Sequence, residues 1–235
     1  PDTHCVPVER AFQGHPEAGA LWERMIVGIL EGDELGFVST THERNLYRGT
    51  IDDALVLVCR QVDDFAIATA SPDTAEKLIA IINKHATTTS KGIGVKDEQG
   101  IGLRYNGIDI HQTRDYTKLS CETYIERVLQ THGWEKPTAN ESDRFDAVPL
   151  PVDSVETLLK ETGPSEGSKE HRELEEKVGF GYRTLLGELM YAFVVCRLDI
   201  GFAVTLLARF STCPSRSHYM ALKSVTRYLR RTKDW

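Results

Sequence analysis

Apolar positions fall into short continuous or alternating runs in the first part of the chain and into helical stripes in its last third. Leu55 to Cys59 (LVLVC) and Phe65 to Thr69 (FAIAT) are short, apolar and rich in β-branched or aromatic types, which predicts two strands. Arg60-Gln61-Val62-Asp63-Asp64 between them is a hairpin tip with its flanks. Upstream, LGFVST and NLYRGT predict two further strands, and PEAGALWERMIVGIL, residues 16–30, a helix with Leu21, Met25 and Leu30 toward one side. Downstream, Ser71 is placed to cap a helix with Pro72 at its first position, running to about His85 with Leu78, Ile79 and Ile82 inward. Residues 101–120 predict a second hairpin turning near Arg114-Asp115. ETYIERVLQTHG then predicts a helix that stops at Gly133. The mixture is poor in βαβ units, so the expected class is α+β, an antiparallel sheet with packed helices followed by a C-terminal helical bundle.

From Pro137 to about His171 the composition shifts to Pro, Ser, Glu, Asp and Thr, which predicts a linker or extended surface segment. Beyond it three helices are expected. Leu185, Leu186, Leu189, Met190 and Phe193 stripe the first, and Asp199 caps the second, whose stripe is Ile200, Ala203, Val204 and Leu207. Ser217 caps the third, with Leu222, Val225 and Leu229 inward. The expected organisation is therefore 1–136, an acidic linker at 137–170, and 171–235.

A chain of 235 residues with 40% hydrophobic content buries one sizeable core or two modest ones. Its longest apolar stretch, LMYAFVVCRLDIGFAVTLLARF, is interrupted by Arg197 and Asp199 and falls short of a membrane span. No signal peptide opens the sequence. Five widely spaced cysteines without Cys-x-x-Cys indicate neither a disulfide framework nor a zinc knuckle, and fit a reducing compartment. Net charge is −7, yet residues 209–235 carry Arg209, Arg216, Lys223, Arg227, Arg230, Arg231 and Lys233 against Asp234 alone. Such a segment can meet phosphates, or it can simply decorate an exposed helix face and its C-terminal end.

The candidate chemistry is Asp63-Asp64. Adjacent carboxylates repel and are costly to desolvate, so an exposed turn is their ordinary place. Asp52-Asp53 is read that way. Asp63-Asp64 differs in having long apolar runs on both sides and no Gly, Pro or Asn to make the turn. Such a pair at a sheet rim can hold a divalent cation, whose charge relieves the repulsion. Other signals are weak. KGIGVKDEQGIG has Asp97 at the third glycine position of a dinucleotide loop, the eight histidines are never within one helical turn of each other, and no G-x-S-x-G elbow occurs.

QVDDF on a strand-turn-strand resembles the x-x-D-D box of reverse transcriptases, in the V-D-D form of Ty1/copia-type retrotransposons. ERAFQGHPEAGALW is similar to that family's segment before the box. YNGIDIHQTRDYTKLSCETYIERVL is similar to its G-I-x-I strand, turn and helix, and the run from Tyr182 to Thr232 to its stretch around R-P-D-I and R-Y-L-x-x-T. These four, in order, cover nearly all the chain except the linker.

The resemblance implies an RNA-directed DNA polymerase portion comprising palm and thumb. Asp63 and Asp64 would be catalytic residues and ligands of two Mg²⁺ (or Mn²⁺) ions about 3.5–4 Å apart. Gln13 and Gly14 would contact the nucleotide, and Gln61 and Val62 the primer and template. The hairpin near Tyr116 to Cys121 would grip the primer, and Lys223, Arg227, Arg230 and Arg231 would meet phosphates. Implied partners are an RNA/DNA template-primer, dNTP, and the ribonuclease H and integrase regions of one polyprotein. No membrane is implied, and the expected location is intracellular, in a cytoplasmic virus-like particle or the nucleus.

Some positions depart from the family pattern. Gln61 stands where an aromatic is usual, and Leu198 replaces the proline of R-P-D-I. The family's further catalytic aspartate comes from a D-V-x-x-A-F segment before the Gln13 region. Asp2 lacks that context, so activity is expected only within a longer polyprotein. The alternatives are a non-catalytic nucleic-acid-binding remnant and, more remotely, a different phosphohydrolase using the same pair.

Overall fold

The computed structural model describes residues 14–92, 94–95, 99–137 and 148–235. The chain forms two compact units, one of Pro1–Asn106 with Gln112–Asp115, the other of Gly107–His111 with Tyr116–Trp235. The architecture is α+β, as its patterning predicts.

The first unit holds α1 (Ala18–Glu31), β1 (Val38–Ser39), β2 (Leu46–Ile51), β3 (Ala54–Gln61), β4 (Asp64–Thr69) and α2 (Pro72–Asn83). The strands make an antiparallel sheet in chain order, with Tyr47 opposite Val58 and Val58 opposite Ile67. Alternation along β3 decides its faces. Val56 and Val58 are fully buried, while Leu55 and Leu57 on the other face are exposed. Ile26 and Leu30 of α1, with Leu78 and Ile82 of α2, complete this core together with Phe37 and Tyr47. Each such side chain contributes about 1.5–3 kcal/mol relative to exposure.

The helix faces differ partly from expectation. Leu21 and Met25 are exposed, and α1 buries Ile26 and Leu30 with Ile29 packed beside them, a stripe set one position round from the expected one. In α2 the Ser71 hydroxyl accepts from the Asp73 N–H at 3.2 Å and Pro72 opens the helix, as expected, although the helix stops at Asn83.

Gly49 of β2 lies under the buried Phe37 ring, and a β-carbon there would stand 2.0 Å from Phe37 Cδ1. Gly49→Ala is therefore expected to destabilise the first unit by about 1–3 kcal/mol, the usual range for overpacking. A urea midpoint equal to that of the parent chain would contradict this.

The strands β5 (Ile101–Tyr105), β6 (Ile108–Gln112) and β7 (Thr117–Ser120) form a second sheet in that order. The expected single hairpin is thus two. Besides the turn near Arg114-Asp115, Asn106 (φ +48°) and Gly107 (φ +80°) connect β5 to β6 with the two positive φ angles of a type I′ turn.

The second unit adds α3 (Glu122–His132), α4 (Val152–Lys160), α5 (Lys169–Val178), α6 (Tyr182–Val195), a 3₁₀ turn at Leu198–Ile200, α7 (Gly201–Ala208) and α8 (Arg216–Arg231). Helix α3 stops at Gly133 with φ +67°, as expected. Its Tyr124, Ile125, Val128 and Leu129 share a core with Leu185, Leu189, Leu222 and Val225, so α3 groups with the C-terminal helices rather than with the segment ending at 136.

The segment expected as a linker also carries structure. Leu150 and Leu158 enter the helical core, and Ser168 caps α5 by accepting from the His171 N–H at 3.1 Å. The average polarity of 137–170 hid the pair Val155 and Leu158, spaced three apart on one face of α4. Residues 138–147 lie outside the described residues.

Two capping expectations are corrected. Ser215, not Ser217, precedes α8, and both serine hydroxyls donate to Glu161, at 2.6 and 3.1 Å. Those bonds, the Ser215 one foremost, hold the Glu161 carboxyl below its ordinary pKa. Asp199 caps no helix. It accepts from Arg197 and from Tyr228 and ties the α6–α7 corner to the end of α8.

Candidate active site and basic groove

Asp63 and Asp64 sit where β3 turns into β4. The tip is shorter than the sequence suggests, because Gln61 pairs with Asp64 in register and only Val62 and Asp63 form the loop. Val62 has φ +54°, a left-handed conformation unusual for a β-branched residue, and is 63% exposed. Both carboxylates are exposed, and Lys91 Nζ lies 3.5 Å from Asp64 Oδ1.

The turn end of the hairpin is fastened by side chains that no local pattern singles out. Arg60 is 4% exposed, and its Nη2 donates to both Glu23 oxygens, at 2.7 and 2.6 Å, and to Asn45 Oδ1 at 2.7 Å. Trp22 Nε1 donates to the Val62 carbonyl at 3.0 Å. On β5, the Tyr105 hydroxyl donates to the Cys59 carbonyl at 3.1 Å. Burial first, then the Cys59 contact and the charge of Asp64, pushes its pKa well up, so it is a neutral donor.

Asp63 and Asp64 are hard oxygen donors on neighbouring residues, open to solvent. Mg²⁺ is commonly held by one or two carboxylates together with substrate phosphates, and the pair fits that pattern. Among the described residues no group of three or more His, Cys, Asp or Glu side chains could hold a metal.

The remaining nominated residues separate into groups. Gly14 is exposed, with φ +91°, and Gln13 lies outside the described residues. Tyr116 and Leu119 are 56% exposed, whereas Ser120 and Cys121 are buried. Lys223, Arg227 and Arg230 of α8 come together along one shallow groove, whose lining also includes Trp134 and Lys136 but not Arg231.

Trp134 lines this groove and is fixed from several sides. His132 stacks on it at 4.7 Å, Phe180 meets it edge-on at 5.2 Å, and Lys223 Nζ stands 5.3 Å from its centroid. Arg230 Nη1 donates to the Trp134 carbonyl at 3.1 Å. Arg227 Nη2 donates to the Ser224 hydroxyl at 2.6 Å. Spacing on α8 announces the three helix cations; nothing local announces Trp134 and Lys136.

The chain is 26% identical over 223 residues to a putative transposon Ty5-1 protein of Saccharomyces cerevisiae, covering 94% of this chain and 63% of that protein. It is 32% identical over 157 residues to a retrovirus-related Pol polyprotein from transposon TNT 1-94 of Nicotiana tabacum, covering 65% of this chain and 11% of that one. A Pol polyprotein from transposon RE1 of Arabidopsis thaliana is 26% identical over 97% of this chain, which spans 14% of its length. The chain thus spans less than two thirds of each of these relatives. No family model and no solved structure matches it. The relatives support a retrotransposon origin for this chain.

Proposed function

We propose that the chain is the palm and thumb portion of a copia-type reverse transcriptase, an RNA-directed DNA polymerase that acts within a longer Pol polyprotein. The observation that carries this reading is the Asp63-Asp64 pair on a strained two-residue turn at the rim of the antiparallel sheet. Backbone strain persists where the surrounding structure enforces it, and it concentrates at functional sites. The Pol polyproteins among the relatives support the same reading.

In this reading Asp63 and Asp64 hold Mg²⁺ or Mn²⁺ beside the triphosphate of a dNTP. The ions, when bound, activate the primer hydroxyl and stabilise the leaving pyrophosphate. The chain's own contribution is orientation. Arg60 and Trp22 fix the turn, the exposed carboxylates face solvent where a primer end can reach them, and the groove lined by Lys136, Lys223, Arg227 and Arg230 takes template-primer phosphates. Lys91, 3.5 Å from Asp64 Oδ1, would partly offset the negative charge of the pair.

Mn²⁺ titration followed by electron paramagnetic resonance tests the assignment. Asp63→Asn is expected to weaken binding about tenfold or more, the loss of one charged ligand being worth at least about 1.4 kcal/mol. Equal affinity in the two proteins would remove the polymerase reading's main support. Template-primer binding without metal dependence at Asp63 would favour the non-catalytic nucleic-acid-binding remnant instead.

A further inference from the structure

Three two-residue connections join neighbouring strands, and they differ in how they reach positive φ. Asp52 (φ +49°) with Asp53 (φ +63°), and Asn106 with Gly107, use residue types that tolerate the left-handed region. The third places Val62 there at φ +54°, while Asp63 keeps negative φ. That is the sign pattern of a type II′ turn, which favours glycine at its first central position. A valine side chain supplies nothing that would hold this conformation, so it must be held from outside.

We propose that Trp22 is the positioning residue for the Asp63-Asp64 turn, its indole N–H fixing the Val62 carbonyl and so the direction in which Asp63 is presented. Its functional consequence rests on the polymerase reading; its geometry does not. Trp22 Nε1 reaches the Val62 oxygen at 3.0 Å across 40 residues of sequence. The Val62 carbonyl and the Asp63 N–H share one rigid peptide plane, so orienting the carbonyl sets the plane from which the Asp63 side chain departs.

The next residue of α1, Glu23, binds Arg60 with both carboxylate oxygens. Arg60 is on β3, two residues before Val62, and its backbone N–H donates to the Asn45 carbonyl at 2.8 Å. One turn of α1 thereby grips the turn end of the hairpin at two points, Arg60 and Val62. Because the Val62 carbonyl is at an exposed turn, water can replace the indole there. Loss of the contact is therefore expected to act on geometry far more than on global stability.

Trp22→Phe keeps an aromatic ring and removes the donor. In the full chain, amide hydrogen exchange at Asp64, which pairs with Gln61, is expected to rise about two- to tenfold, the factor of one neutral hydrogen bond, and Mn²⁺ affinity to fall by a similar factor. The urea midpoint should stay unchanged. Unaltered exchange at the turn, or a lower midpoint with unaltered exchange, overturns the proposal. Should the variant fail to fold, the indole N–H of Trp22 in the parent chain decides. It should exchange slowly and broaden on Mn²⁺ addition, and an indole exchanging like an exposed one overturns the assignment. If Asp63→Asn leaves Mn²⁺ affinity intact, the polymerase reading fails, while exchange at the turn still decides the role of Trp22.

Discussion

Arg197→Ala is expected to lower the stability of the C-terminal unit by about 3 kcal/mol, the low end for breaking a buried ion pair from one side. Arg197 is 3% exposed, and its Nε and Nη2 donate to the two Asp199 oxygens at 2.9 and 2.7 Å. Its Nη1 and Nη2 also donate to the Thr232 carbonyl and hydroxyl, at 2.9 and 2.6 Å. Removing the guanidinium takes both Arg197 bonds from Asp199, which keeps the Tyr228 hydroxyl, and leaves the Thr232 carbonyl with the Trp235 N–H at 3.2 Å. Asp199 is about a third exposed, which is why the low end applies. Urea unfolding of the variant followed by circular dichroism measures the cost; a change under about 1 kcal/mol would mean that water substitutes fully.

The same cluster has a pH signature. Burial pushes the Asp199 carboxyl up, but hydrogen bonds from Arg197 and Tyr228 and the Arg197 charge outweigh it, so its pKa is lowered. A group with a depressed folded pKa adds stability above its unfolded value, about 3.9 for aspartate. That contribution is lost as pH falls through the folded value. The stability gap between the parent chain and Asp199→Asn should accordingly be full at neutral pH and close in acid below about pH 3.9. A gap that persists unchanged in acid would contradict the assignment.

On the proposed polymerase reading, removing three groove cations together, as Lys136→Ala, Lys223→Ala and Arg227→Ala, is expected to weaken template-primer binding about a hundredfold at low salt. The slope of log affinity against log salt should become shallower by up to about 2.7, at about 0.9 per duplex phosphate contact. Arg230 is left in place because it also holds the Trp134 carbonyl, and its loss would mix folding with binding. Asp63→Asn provides the comparison, since it should leave the salt slope alone. An unchanged slope in the triple variant would rule the groove out as a phosphate-binding surface.

Much of the fold follows from local patterning. The strands around Asp63-Asp64 are legible because β-branched and apolar runs change to charge over a few residues, and α2 and α3 because Ser71-Pro72 and Gly133 mark their ends. The Asn106-Gly107 turn is equally legible, since Asn-Gly favours the two positive φ angles it adopts. Helices α4 and α5 were lost because Pro, Ser and Glu dominate their neighbourhood, although Leu158 is only 3% exposed.

The candidate site divides in the same way. Adjacent carboxylates and a run of α8 cations are visible in sequence, being local. The Glu23–Arg60 pair and the Trp22 bond span about forty residues, and no periodicity announces a partner at that distance. Trp134 and Lys136 likewise join the groove through the stop at Gly133, whose direction the residue types do not specify.

The order of the first sheet carries a consequence for how the protein is made. Every strand of β1-β2-β3-β4 pairs with its neighbour in sequence, so the sheet needs only short loops to close and is expected to assemble fast. Among the described residues its buried core, shared with α1 and α2, uses none beyond Ile82, so a chain emerging from the ribosome can form that core early. The helical unit has no such head start. Arg197 must wait for Thr232, and the last turn of α8 must be synthesised before its final buried bonds can form.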